Sequence, residues 1–134
     1  MSEGKIILLT DIYETKKRKE EIKKSRTQSS ELLFQALSKQ PNKVKAVISA
    51  SAVGWYGEDT GTPFVETDPV SLDFLGETCK AWEESIDQVQ TVGKRLVKYR
   101  LGLALSNEGG ALVEFKRPAR MGVAAILGSG NQMY

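Results

Sequence analysis

Residues 47–57 read Val-Ile-Ser-Ala-Ser-Ala-Val-Gly-Trp-Tyr-Gly, and this run constrains the fold more than any other part of the chain. An apolar stretch passes into small hydroxyl residues and then into a glycine–aromatic–glycine turn. A strand buried on both faces reads as a near-continuous apolar run. Small polar residues at its C-terminal end fit a strand that opens into a site. The flanking segments decide what kind of sheet such a strand enters. Residues 14–39 carry Ile22, Ser29, Leu33, Ala36 and Leu37 at helical spacing, with Lys16/Glu20, Lys17/Glu21 and Glu20/Lys24 able to pair one turn apart. Gln40, Pro41 and Asn42 end that helix.

The same reading extends along the chain. Residues 5–9 predict a short buried strand and residues 44–49 a second one, followed by the site loop. Residues 58–69 are rich in Thr, Gly and Pro and predict a loop. Ser71 or Asp73 caps a helix running to about Val92, with Leu75, Cys79, Trp82, Ile86 and Val89 along one face. Gly93 ends it. A third strand is expected over 95–105, a turn over 107–110, and a short helix over 111–116 that stops near Pro118. The order β-α-β-α-β implies right-handed crossovers and a parallel sheet. In such a sheet, sites form beyond the C-terminal strand ends, here after Ser49 and after Arg100. The fold class expected is α/β, a partial Rossmann-like parallel sheet with an incomplete C-terminal substrate-binding segment. The division expected is a partial NAD(P)-binding domain over 1–110 and the start of a substrate-binding segment over 111–134.

Composition matters mainly for what it excludes. The 134 residues carry no histidine, which removes His-based triads, histidine bases and His metal sites. The single cysteine, Cys79, excludes an internal disulfide and fits a reducing cytoplasm. A formal net charge of +2 is too near neutral to argue for nucleic acid. The basic block Lys16-Lys17-Arg18-Lys19 runs at once into acids and Ile22, as a solvated helix face does. No apolar run approaches the ~20 residues of a membrane helix. Asp59, Glu66 and Asp68 lack metal-ligand spacing, so no metal is expected.

Several segments in order resemble one family. These are Arg18-Lys19-Glu20-Glu21-Ile22-Lys23-Lys24-Ser25-Arg26 with Leu32-Leu33 and Ala36-Leu37, then the run 49–57, then Phe74-Leu75, Cys79 and Trp82-Glu83, then Arg100-Leu101-Gly102 and Gly109-Gly110-Ala111-Leu112, and last residues 127–132. Together, over residues 12–134, they resemble the epimerase-like group of extended short-chain dehydrogenase/reductases, the NAD-dependent epimerase/dehydratase family. The resemblance implies a Rossmann-type fold, NAD or NADP as cofactor, and a sugar-nucleotide-like or small carbonyl substrate for an oxidoreductase or epimerase. Two features of the family are missing. The strand-like residues 6–9 run into Thr10-Asp11-Ile12-Tyr13 without the glycine-rich loop that holds a pyrophosphate. Leu75 and Cys79 stand where the family's Tyr-x-x-x-Lys pair falls. The chain is therefore expected to be a central fragment, inactive alone, that lacks the glycine-rich loop and the C-terminal substrate part. The alternative is a non-catalytic interaction module on the same core, associating with itself through unpaired sheet edges.

The candidate site residues follow from this combination. Ser51 and Tyr56 are the catalytic candidates, Ser51 as the serine that orients a substrate oxygen and Tyr56 as an acid. Tyr56 also reads as an aromatic lid, and Trp55 as either a pocket wall or simple packing. By resemblance, Ser49, Ala50, Cys79, Arg100, Gly102 and Leu103 lie along the cofactor, and Trp55, Arg120 and Gln132 meet substrate. From the residues alone, Cys79 reads as core beside Leu75 and Trp82 rather than as a reactive thiol, since no histidine is present to activate it. Tyr13 and Lys17 match Tyr-x-x-x-Lys by pattern but precede Ser51 by a whole helix and strand.

Overall fold

A computed structural model describes residues 15–109 and 111–123. The strand expected over 5–9, Tyr13, the glycines at 128 and 130, and Gln132 lie outside the described residues. Helix α1 spans Lys16–Lys39. Strand β1 spans Ala46–Ala52, helix α2 Phe74–Asp87, strand β2 Arg95–Leu101 and helix α3 Ala111–Arg120. Among the described residues β1 and β2 pair in parallel, with Ser49 opposite Lys98 and Ser51 opposite Arg100. A parallel pair joined through a helix is the arrangement expected of a Rossmann-like α/β fold.

Local chemistry sets the element ends. The Thr15 hydroxyl accepts from the Arg18 N–H at 3.2 Å and starts α1. The Asp73 carboxylate accepts from the Gly76 N–H at 2.7 Å and starts α2. Gly76 is required there: a Cβ would lie 2.1 Å from the Ser71 carbonyl oxygen. After Asp87 the helix tightens into a 3-10 turn over Gln88–Val92, and Gly93, at φ +73°, ends it. Side-chain burial alternates along β1. Val47 and Ser51 are buried beneath the helices, whereas Ile48 on the opposite face is 71% exposed. Among the described residues the buried core is small: Val47, Ile86 and Val89, flanked by Phe34, Leu37 and Leu96. Each such side chain contributes about 1.5–3 kcal/mol on full burial, so polar contacts carry an unusual share of the fold.

Four expectations need correction. β1 begins at Ala46 and runs to Ala52, so Ser51 lies within the strand and not in a loop, because its backbone pairs with β2. β2 ends at Leu101, leaving Gly102 and Leu103 as exposed chain beyond it. The inward face of α1 keeps Ile22 and Leu37 as expected but carries Arg26, Ser30 and Phe34 between them in place of Ser29, Leu33 and Ala36, with Leu33 40% exposed. Pro118 sits inside α3, which continues to Arg120. Its missing N–H costs one helical bond near the C-terminal end, and its own carbonyl still accepts from the N–H groups of Met121 and Val123. No helix of the described residues is long and apolar enough to cross a membrane.

Candidate functional site

The C-terminal end of the sheet meets two distinct regions. The first is a polar cluster built on β1, β2 and α2. The Ser51 hydroxyl donates to Glu83 Oε1 at 2.7 Å. Arg100, opposite Ser51 on β2, donates from Nε to the same Oε1 at 2.9 Å and from Nη2 to Oε2 at 3.2 Å. This fork-on-carboxylate geometry is the strong form of an ion pair. The third guanidinium nitrogen, Nη1, donates to the Tyr56 hydroxyl at 2.9 Å and to the Glu66 carbonyl at 3.0 Å. The guanidinium also lies over the Trp55 ring, 3.9 Å from its centroid. The Lys98 ammonium adds a looser contact to Glu83 Oε2 at 3.5 Å and a closer one to Asp87 at 2.9 Å.

Burial opposes the charge on Glu83, but the hydrogen bonds from Arg100 and Ser51, with the charges of Arg100 and Lys98, outweigh it. Its pKa therefore lies below the ordinary carboxylate range. The bonds from Glu83 in turn hold Arg100 more firmly protonated. The cluster also ties down the loop after β1. The Trp55 indole donates to the Asp68 carbonyl at 3.0 Å, and Tyr56 stacks on Phe64 at 4.9 Å between ring centroids.

The second region is a cavity of about 610 Å³ between α1 and α2. Ala52, Gly54, Leu75 and Cys79 form its inner wall, and Arg18, Arg26 and Trp82 stand around it. Arg26 lies over the Trp82 ring at 5.4 Å. The Cys79 thiol contacts the Ala52 carbonyl at 3.7 Å. Burial raises its pKa above the ordinary thiol value despite that contact, so it is a neutral thiol and not a nucleophile. The two hydroxyls on the cavity are already committed: Thr78 donates to the Phe74 carbonyl and Ser25 to the Ile22 carbonyl, each at 2.7–2.8 Å.

The structure thus gathers Ser51, Tyr56, Trp55 and Arg100 around one carboxylate, and places Cys79 at the other region. Ser51 is 2% exposed and lines neither the cavity between α1 and α2 nor a second one of about 680 Å³ beside the cluster, walled by Trp55, Tyr56, Glu66, Glu83, Lys98 and Arg100. Ser49 and Ala50 sit mid-strand on β1. Arg120 is exposed in the last turn of α3. The residue the sequence reading passed over is Glu83, used there only as a landmark on α2. A signal was present. Glu83 falls among Cys79, Trp82 and Ile86 on the apolar face, and a carboxylate there needs a cation from another element. Among the described residues no group of three or more acidic or cysteine side chains could hold a metal ion.

No family model matches the chain. An epimerase family protein of Staphylococcus saprophyticus is 40% identical over 123 residues, which is 90% of this chain and 41% of that protein. The solved nucleoside-diphosphate sugar epimerase from Corynebacterium glutamicum superposes with a TM-score of 0.71 at 33% identity, over 87% of this chain and 25% of that one. The human epimerase family protein SDR39U1, solved with NADPH, superposes with a TM-score of 0.74 at 27% identity, over 89% and 40% respectively. The chain spans about two fifths of the length of the curated relatives it matches. Over that part, its sequence and its mixed α/β architecture match the epimerase-like group of short-chain dehydrogenase/reductases.

Proposed function

We propose that this chain supplies the middle of an NAD(P)-dependent epimerase/dehydratase-like oxidoreductase, the part that receives the nicotinamide end of the cofactor, and that alone it binds weakly and does not turn over. The observation that carries this reading is the cavity between α1 and α2 at the C-terminal end of β1. Its inner wall of Ala52, Gly54, Leu75 and Cys79 is small and apolar, as a flat ring requires, and Arg18 and Arg26 offer positive charge to phosphates. The residues present therefore fit that end of a dinucleotide. Bound there, NAD(P) supplies hydride transfer, and the substrate class best matched to the relatives is a sugar-nucleotide-like or small carbonyl compound.

The chain's own residues would orient the ring and exclude water. They would not move a proton. Leu75 and Cys79 carry no suitable acid or base, the Thr78 and Ser25 hydroxyls already donate to helix carbonyls, and the Glu21 carboxylate that also lines the cavity is paired with Arg18 at 3.6 Å. The Tyr56 hydroxyl oxygen accepts from Arg100, and it faces the other region, beside Glu66 and Lys98. Ser51 serves there as a pin on Glu83.

The test is a thermal melt with NADH or NADPH, run beside Leu75→Phe, which fills the cavity from a position already 43% exposed. A melting temperature raised by dinucleotide in the parent and not in the variant supports the reading. An equal response, or none in a cooperatively melting parent, contradicts it.

A further inference from the structure

We infer that Arg26 grips an oxyanion of the molecule that fills the cavity between α1 and α2, through the two-pronged edge formed by its Nε and Nη2 groups. This rests on the reading of that cavity as the ligand site. It adds the chemical class of the ligand: a phosphate or carboxylate carried beside a flat or apolar part.

Arg18, Ile22 and Arg26 recur every fourth residue and share the side of α1 that lines the cavity. The two arginines are not equivalent. Arg18 is turned toward solvent, its side chain 58% exposed, and has Glu21 as a counter-charge 3.6 Å from Nη1. Arg26 is half-buried and lies over the Trp82 ring. Its Nη1 donates to the Ile22 carbonyl and to the Ser25 hydroxyl, each at 3.2 Å, which fixes the guanidinium on the cavity wall. Among the described residues Arg26 has no carboxylate partner, and its Nε and Nη2 make no hydrogen bond.

In the same molecule Arg100 lays those same two nitrogens on the carboxylate of Glu83, at 2.9 and 3.2 Å. This edge of a guanidinium presents two parallel N–H groups, spaced for two oxygens of one carboxylate or phosphate. A partly desolvated cation with that edge unfilled, beside an apolar wall, favours an anionic ligand over a neutral one. The charge also acts within the cavity. Burial raises the pKa of the Cys79 thiol on the inner wall, and Arg26 works against that rise. The one carboxylate on the wall, Glu21, is answered by Arg18.

The test is isothermal titration of the chain and of Arg26→Gln, Arg26→Lys and Arg18→Gln with NADPH, inorganic phosphate and pyruvate, beside a thermal melt of each variant. Binding of at least one of these ligands should weaken about tenfold or more in Arg26→Gln. Arg26→Lys, which keeps the charge over Trp82 but not the fork, should lose less, and it is the measure where Arg26→Gln does not fold. Arg18→Gln should stay within about twofold of the parent. Where a dinucleotide phosphate is the occupant, NADPH is the ligand weakened and inorganic phosphate competes with it. Where an acid group of the substrate is the occupant, NADPH binds parent and variants alike, and phosphate or pyruvate binds the NADPH-loaded parent but not NADPH-loaded Arg26→Gln. Equal binding of NADPH and both anions by the parent and the Arg26 variants overturns the inference and leaves the cofactor reading standing. An equal loss in Arg18→Gln overturns it too. A parent that binds phosphate or pyruvate through Arg26 but never NADPH contradicts the cofactor reading and supports the inference. A parent that binds none of the three overturns both.

Discussion

The Glu83–Arg100 cluster and the cavity between α1 and α2 sit on either side of the same strand end, and they divide the work in a way the sequence conceals. The cluster holds nearly every residue with chemical promise: a serine, a tyrosine, an arginine and a carboxylate. All of them are bonded to one another. The cavity between α1 and α2 holds almost none, yet both regions have room for a ligand, about 610 Å³ there and about 680 Å³ beside the cluster. Reactive residue types at a strand end are therefore no guide to the site until their hydrogen bonds are counted. Here those bonds hold the sheet to α2 and fix the loop over its end, in a fold whose apolar core is too small to do so alone.

The sharpest way to break the contrast is Arg100→Ala. It leaves the Glu83 carboxylate buried without its main partner and removes the contacts to Trp55, Tyr56 and Glu66. The loss expected is about 3–5 kcal/mol, a large fraction of a typical domain's stability, read as a collapsed denaturation midpoint. Ser51→Ala removes one charge-assisted bond, and about 2 kcal/mol is expected by chemical denaturation. A loss nearer zero would mean that Ser51 is not a structural pin.

Acid probes the same cluster. Because the folded-state pKa of Glu83 lies below its unfolded value, its contribution is complete above the ordinary carboxylate pKa of about 4.3 and disappears as pH falls through the lowered value. Stability followed from pH 6 down to pH 2 should fall along a limb that Glu83→Gln flattens. On the cavity side the effects are smallest. Leu75→Phe should change stability by no more than about 0.5 kcal/mol, since Leu75 is 43% exposed. Cys79 in the folded chain should react with iodoacetamide more slowly than a free thiol at neutral pH, because burial keeps it protonated.

Much of the frame was legible in the sequence because it depends on local chemistry. Asp73 as a cap, Gly93 as a stop and the apolar run into β1 are short-range signals, and each stands where the residues imply. The inward face of α1 was placed only in part: Ile22 and Leu37 face inward as expected, but polar and apolar residues are intermixed along the helix, so tertiary packing chose Ser30 and Phe34 over Ser29 and Leu33. Pro118 within α3 shows a strong local stop being tolerated near a helix end. The least legible feature was the cluster. Ser51, Glu83 and Arg100 are far apart in sequence, and only the parallel register of β1 with β2 sets Ser51 beside Arg100.

The most direct test of where a cofactor sits is energy transfer to NADPH resolved by tryptophan. Trp82 stands at the cavity, whereas Trp55 is stacked under Arg100 in the cluster. The account predicts saturable transfer to which Trp82 is the stronger donor, so that Trp82→Phe removes more of it than Trp55→Phe does. Transfer that vanishes with Trp55→Phe and persists in Trp82→Phe would place the dinucleotide at the cluster and contradict the division of roles argued above.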